Sequence, residues 1–206
     1  MDSVAITTFF AMGLGLGALH AFDPDHVAAV SGMTAGERGK SRQNLWRFAL
    51  HWSLGHGGIL LLIASLVFLF GVAIPTQLSA FAESCVAFML IAIGTLGFWK
   101  IYQEWVKKKP SAHRINSASF VGMIHGTAGS APLLALLPIT KINEPIVGVI
   151  YVFLFSIGVC FAMLGLGGLI SQGFKLLQKC HWRIEVVIHA ILALFSLLFG
   201  FKLLFV

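Results

Sequence analysis

Between Arg47 and Glu83 the chain reads FALHWSLGHGGILLLIASLVFLFGVAIPTQLSAFA (residues 48–82), without one charged side chain. That run exceeds the ~20 apolar residues with which a helix crosses about 30 Å of hydrocarbon. Three more uncharged runs lie between Asp2 and Asp23, Arg114 and Lys141, and Glu144 and Lys175. The composition agrees: 58% of the 206 residues are hydrophobic, 18 are Phe, and 11% are charged, against roughly a quarter in soluble domains. A soluble enzyme, a nucleic-acid binder and a disordered protein are all poor readings of such a chain. The +6 net charge therefore serves something other than nucleic acid. This is the sequence of a polytopic membrane protein.

Working outward, six spans are expected, at about 4–33, 48–73, 79–100, 118–139, 145–171 and 184–205. They should be helices, because a backbone in lipid has to satisfy its own hydrogen bonds. The alternation required by a membrane barrel is absent. The fold class is all-α, with one transmembrane domain over residues 1–206. Met1-Asp2-Ser3 lacks the basic start of a signal peptide, so the first segment is expected to stay as a span. Cys85, Cys160 and Cys180 form no CxxC pair and read as packing residues.

Orientation follows from the basic residues. Arg38, Lys40, Arg42 and Arg47 follow the first span; Lys100, Lys107, Lys108, Lys109 and Arg114 follow the third; Lys175, Lys179 and Arg183 follow the fifth. The opposite side carries only Lys141 and Lys202. The positive-inside rule makes the three basic loops cytoplasmic and both termini non-cytoplasmic, in a multi-pass protein of the cell membrane. Trp46, Trp99, Trp105 and Trp182 stand near the cytoplasmic ends, as interfacial anchors do.

A repeat is visible across the two halves. Gly17-Ala18-Leu19-His20-Ala21 and Gly122-Met123-Ile124-His125-Gly126 share G-x-x-H followed by a small residue, and Pro24 and Pro132 follow the respective histidines. Three spans separate them, so the two segments run in opposite directions. That pattern predicts two inverted three-helix repeats, about 1–105 and 115–206, with discontinuous helices around a central binding site.

His20-Ala21-Phe22-Asp23-Pro24-Asp25-His26 places two histidines and two carboxylates inside the first span. Each ionisable group at a helix centre costs ~2.5–3.5 kcal/mol even on lenient insertion scales, so partners, water or a cation must compensate. On a continuous helix His20, Asp23 and His26 share one stripe, while Asp25 points away from it. Pro24 crowds the His20 carbonyl and is expected to free it as a further ligand atom. Nitrogen and oxygen donors without thiolate suit Ni²⁺, Co²⁺ or Zn²⁺. The competing reading is a helix cap built on Asp-Pro-Asp, which accounts for one aspartate but for neither histidine.

In the second span His56 lies deeper than His51 and is the better ligand candidate, although a lone histidine there also reads as a packing residue. In the fourth, His125 has the repeat relation to His20, and Thr127 and Ser130 either line a pathway or bond freed carbonyls. Glu83 and His189 are expected near span ends, outside the primary ligand set.

These three segments resemble the nickel/cobalt permease family. HAFDPDH (20–26) is similar to its H-A-x-D-x-D-H signature, LGHG (54–57) to its second-span element, and GMIHGTAGSAPLL (122–134) to the second-half motif of the short, six-span, urease-associated members. The resemblance implies a secondary transporter of Ni²⁺ or Co²⁺ and not an enzyme. His20, Asp23, Asp25, His26, His56 and His125 would recognise the metal. The metal would be transported substrate rather than cofactor, the lipid bilayer the surroundings, and nucleic acid no partner; a homo-oligomer is left open. The absence of a Walker A motif speaks against direct use of ATP. The alternative class is a rhomboid-like intramembrane serine protease using Ser130 and His189. It asks for G-x-S-G where Gly129-Ser130-Ala131 stands, and it leaves HAFDPDH without a role. Thiol-electron transport would need cysteines in spans one and four, which have none.

Overall fold

Long apolar runs leave the backbone no water to bond, and among the described residues of the computed structural model every regular element is accordingly a helix. The structure describes residues 3–34, 42–72, 76–105, 118–128, 144–177 and 182–205. In chain order the described helices are α1 (Ser3–His20), α2 (Pro24–Thr34), α3 (Arg42–Phe70), α4 (Thr76–Trp105), α5 (Ala118–Thr127), α6 (Pro145–Leu177) and α7 (Trp182–Leu204).

Among the described residues four stretches are each long and apolar enough to cross a membrane: Trp46–Phe70, Ala80–Gln103, Pro145–Ile170 and Val186–Leu204. Val4–His20 and Pro24–Ser31 form a bent pair that makes a fifth when taken as one broken span. The chain is a multi-pass, all-helical membrane protein. Of the expected fourth span, Ala118–Thr127 is helical; residues 129–143, with Ser130, Pro132 and Lys141, lie outside the described residues.

The first span differs from the expected continuous helix. Helix α1 stops at His20, where Phe22 N–H donates to the Leu19 carbonyl and Asp23 N–H to the His20 carbonyl, both at 3.0 Å. These tight bonds close the chain into a turn, and Pro24 then opens α2 at the position where a missing N–H costs nothing. Asp25 falls in the first turn of α2, where the helix dipole favours a negative charge. The capping reading of Asp-Pro-Asp is thus correct for the backbone. The predicted helical stripe of His20, Asp23 and His26 does not exist, because no single helix carries all three. Nor is the His20 carbonyl freed as a ligand atom, since it accepts the Asp23 N–H.

Large apolar side chains face outward as well as inward. On α3 the buried residues include Trp52, Ser53 and His56, while Leu50, Leu54, Leu62, Leu66 and Leu69 are exposed. An apolar outer surface of this kind suits hydrocarbon. At its end Gly71 turns with φ 65°, the left-handed cap that glycine adopts without steric cost.

The chain divides into two compact units. One comprises Met1–Asp23, Ala49–Glu83 and Ser117–Leu164; the other Pro24–Phe48, Ser84–Asn116 and Gly165–Val206. In the first unit the helices meet backbone to backbone through glycine. A side-chain carbon at Gly17 would be driven into the Phe155 carbonyl and one at Gly158 into the Leu14 carbonyl, so α1 and α6 touch with nothing between them. A carbon at Gly122 would strike the Trp52 carbonyl and one at Gly55 the Ser119 carbonyl, which describes the α5–α3 contact in the same terms. Small residues at such crossings let helices gain dispersion contacts where lipid supplies no hydrophobic drive. In the second unit α2 packs on α7, and α7 lies against α4: Ser196 Oγ donates to the Leu90 carbonyl at 2.9 Å, and Gly94 faces Ala193 and Leu197.

These contacts predict opposite signs for two glycine-to-alanine changes. Gly17→Ala should destabilise the protein by about 1–3 kcal/mol or more, because the seam has to open. Gly15→Ala, with nothing within 4 Å of the added methyl, should stabilise it by roughly 1 kcal/mol through helix propensity. Thermal unfolding of both variants in detergent checks the pair; equal shifts would refute the seam.

Candidate metal centre

The helix break puts the His20 ring beside its own turn. His20 Nδ1 lies 2.8 Å from Asp23 Oδ2, with the imidazole almost fully buried and the carboxylate partly exposed. The ring N–H donates to the carboxylate, so the lone pair of the neutral imidazole resides on Nε2. A carboxylate behind a histidine fixes its orientation and tautomer and makes the other nitrogen a better base.

His56 is fully buried on α3 and meets His20 with ring centroids 5.5 Å apart. A ring nitrogen of each lies within 4.8 Å of the other. Beneath His56, one turn earlier on the same helix, the Trp52 indole stacks at 5.1 Å and 19°. Trp52 also touches His125 of α5, at 5.5 Å and 56°. The His125 Nδ1–H donates to the Val121 carbonyl at 3.0 Å, and its lone pair too therefore falls on Nε2. His20 rests on Phe155 of α6 at 5.5 Å and 34°, much as His125 rests on Trp52.

His20, Asp23, His56 and His125, all singled out from sequence, thus belong to one compact unit. His26 and Asp25 belong to the other, on α2; His26 is fully buried, and its Nε2 lies 3.8 Å from Asp25 Oδ2. Asp25 therefore approaches the histidine beside it instead of pointing away. His51 is exposed, as its interfacial reading expects, and so is Glu83. Thr127 Oγ1 bonds the Ile124 carbonyl of its own helix at 2.8 Å, the role of repairing a helix end. Ser130 lies outside the described residues. His189 is buried on α7, near the start of the apolar stretch Val186–Leu204.

Sequence reasoning missed the aromatic floor of Trp52 and Phe155. Its signal was present, in Trp52-Ser53-Leu54-Gly55 and Phe155-Ser156-Ile157-Gly158, two copies of aromatic-Ser-aliphatic-Gly. The two serines even behave alike, Ser53 Oγ donating to the Ala49 carbonyl at 2.8 Å and Ser156 Oγ to the Val152 carbonyl at 2.9 Å.

Buried imidazoles, one of them backed by a carboxylate, within a helical multi-pass protein are donors of the kind a cation with a taste for nitrogen ligands can take. Comparison with known proteins agrees. Residues 6–158 match the family model of the high-affinity nickel-transport protein, NicO, and the chain belongs to that family. It is also 28% identical over 192 residues to the urease accessory protein UreH of Bacillus sp. (strain TB-90), covering 85% of this chain and 82% of that one. No solved structure matches it. The resemblance read from the three motifs is therefore borne out: the chain is a membrane transporter of the nickel-transport family and not an enzyme. The serine-protease alternative finds no support in these matches.

The His20 tautomer is directly measurable. In protein labelled with ¹⁵N-histidine, His20 should show protonated Nδ1 and an unprotonated Nε2 at neutral pH. Asp23→Asn should remove that preference, while Asp25→Asn should leave it intact. A His20 signal indifferent to Asp23→Asn would show that the 2.8 Å contact does not orient the ring.

Proposed function

We propose that the chain carries Ni²⁺ or Co²⁺ into the cell as a secondary transporter, with His20 and His56 as nitrogen ligands and Asp23 acting through His20. The observation that carries this reading is the buried pair His20–His56, with Asp23 bonded behind His20 at 2.8 Å. Metal–imidazole bonds of about 2.0–2.1 Å bring two nitrogens within about 4.2 Å of each other. The 4.8 Å bound on the pair asks for no more than a small ring rotation. His26 is buried on α2 within the other unit and is a separate candidate ligand there. Asp25 beside it would serve His26 as Asp23 serves His20, at a looser 3.8 Å. His125 lies across Trp52 from His56 in the ring series and would take the cation later.

The architecture in this reading is two inverted three-helix repeats moving by alternating access. What supports it is the correspondence of contacts. Gly17 with Phe155 and Gly158 with Leu14 match Gly122 with Trp52 and Gly55 with Ser119, exchanging spans one and five for spans four and two. The same exchange turns His20 on Phe155 into His125 on Trp52. In the other unit Gly94 against Ala193 and Leu197 matches Gly200 against Ala87 and Ile91. With the basic loops cytoplasmic and both termini outside, an interior-negative potential would favour entry of a divalent ion by about 4.6 kcal/mol per 100 mV. Uptake then needs no further energy source.

Accumulation of Ni²⁺ and Co²⁺ by cells expressing variants tests this. Asp23→Asn should lower uptake by roughly 10- to 100-fold, the usual cost of losing a carboxylate behind a ligand histidine. His56→Ala should abolish it, and His51→Ala, at an exposed position, should leave it near wild type. Wild-type accumulation by both Asp23→Asn and His56→Ala would overturn the ligand assignment.

A further inference from the structure

Trp52 is fully buried, and its indole lies against two imidazoles at once, His56 at 5.1 Å and His125 at 5.5 Å. His56 continues the series to His20 at 5.5 Å. All four rings belong to one compact unit, and the indole touches both His56 and His125. Packing alone does not call for a tryptophan here. Phe155, whose carbonyl meets Gly17 as that of Trp52 meets Gly122, supports His20 with a single six-membered ring.

The extra ring has a chemical consequence. An indole carries an N–H donor and no lone pair in its plane, so it cannot take the place of water on a metal ion. Its face attracts a cation but does not coordinate one. A cation advancing from His20 and His56 toward His125 thus meets a bulky group that returns nothing for lost hydration. Ni²⁺ and Co²⁺ bind imidazole well. Mg²⁺ holds its water tenaciously and prefers oxygen. An obstacle of this kind therefore sorts ions by their readiness to exchange water for nitrogen.

We propose that Trp52 is a selectivity residue of the transporter: its indole closes the way between the His20–His56 pair and His125, so that a cation crosses only after trading water for imidazole. The proposal rests on the transport reading above and adds to it a residue that is no metal ligand.

The test uses the full-length protein in sealed liposomes, with Ni²⁺ and Mg²⁺ entry followed separately by entrapped indicators. Trp52→Phe keeps an aromatic ring of the size that Phe155 supplies, so the seam around it should survive. Mg²⁺ entry should rise by roughly tenfold while Ni²⁺ entry stays within about threefold of wild type, so that the Ni²⁺/Mg²⁺ ratio falls. Trp52→Leu should open the way further and raise Mg²⁺ entry more; it decides the matter if Trp52→Phe fails to reconstitute. An unchanged Ni²⁺/Mg²⁺ ratio in the variants that reconstitute would overturn the proposal and leave Trp52 as packing. His56→Ala, measured alongside, separates this outcome from failure of the transport reading. Lost Ni²⁺ entry in His56→Ala with an unchanged ratio at Trp52 refutes only the selectivity role, whereas wild-type Ni²⁺ entry in His56→Ala refutes the reading beneath it.

Discussion

The bond between His20 and Asp23 is the interaction on which the rest of the site depends. An ionisable side chain inside a membrane span has to be compensated, and here the compensation comes from a residue three positions along the same chain. In a straight helix that carboxylate would sit on the helix flank. The break after His20 turns it back onto the ring, because the Asp23 N–H closes on the His20 carbonyl before Pro24 starts the next helix. One turn therefore performs three tasks. It ends α1, it supplies the position proline tolerates, and it sets the imidazole tautomer so that Nε2 carries the lone pair.

Holding that ring in place requires close packing without a hydrophobic drive, since lipid is as apolar as the helices. The first unit solves this with glycine at the crossings, Gly17 and Gly158 between α1 and α6, Gly55 and Gly122 between α3 and α5. Backbone contact leaves the neighbouring side chains little freedom, which suits rings that have to meet at defined angles. Each crossing stands next to a histidine resting on an aromatic ring, His20 on Phe155 and His125 on Trp52. The sequence differs beside these two rings: four residues after Trp52 stands His56, and four residues after Phe155 stands Val159.

Much of this is legible in the sequence, and the losses have specific causes. The charge-free runs announce helical spans because hydrocarbon length and backbone hydrogen bonding leave few alternatives. HAFDPDH announces a polar site because its cost in lipid is too large to be incidental. Helical periodicity misled at that same segment: it assumed one continuous helix through Pro24, whereas the proline begins a new one, and the expected stripe and freed carbonyl vanish together. His56 is buried and His51 exposed, a difference in keeping with their distances from the nearest charges along the chain. Trp52 could be found only through the pattern it shares with Phe155, aromatic-Ser-aliphatic-Gly, because a tryptophan near the start of a span reads equally well as an interfacial anchor.

By itself, then, the sequence determined the solvent of this protein, the helical character of its spans, the residue types available to hold a cation and, through three motifs, the family to which it belongs. These follow from composition and local spacing, which act over a few residues. Only the tertiary structure decided which of those residues meet. His20 and His56 are 36 positions apart, and His125 is 69 beyond His56, and no local rule relates them. Their meeting follows from glycine contacts between helices distant in the chain, where the sum of many small dispersion gains selects one packing over others.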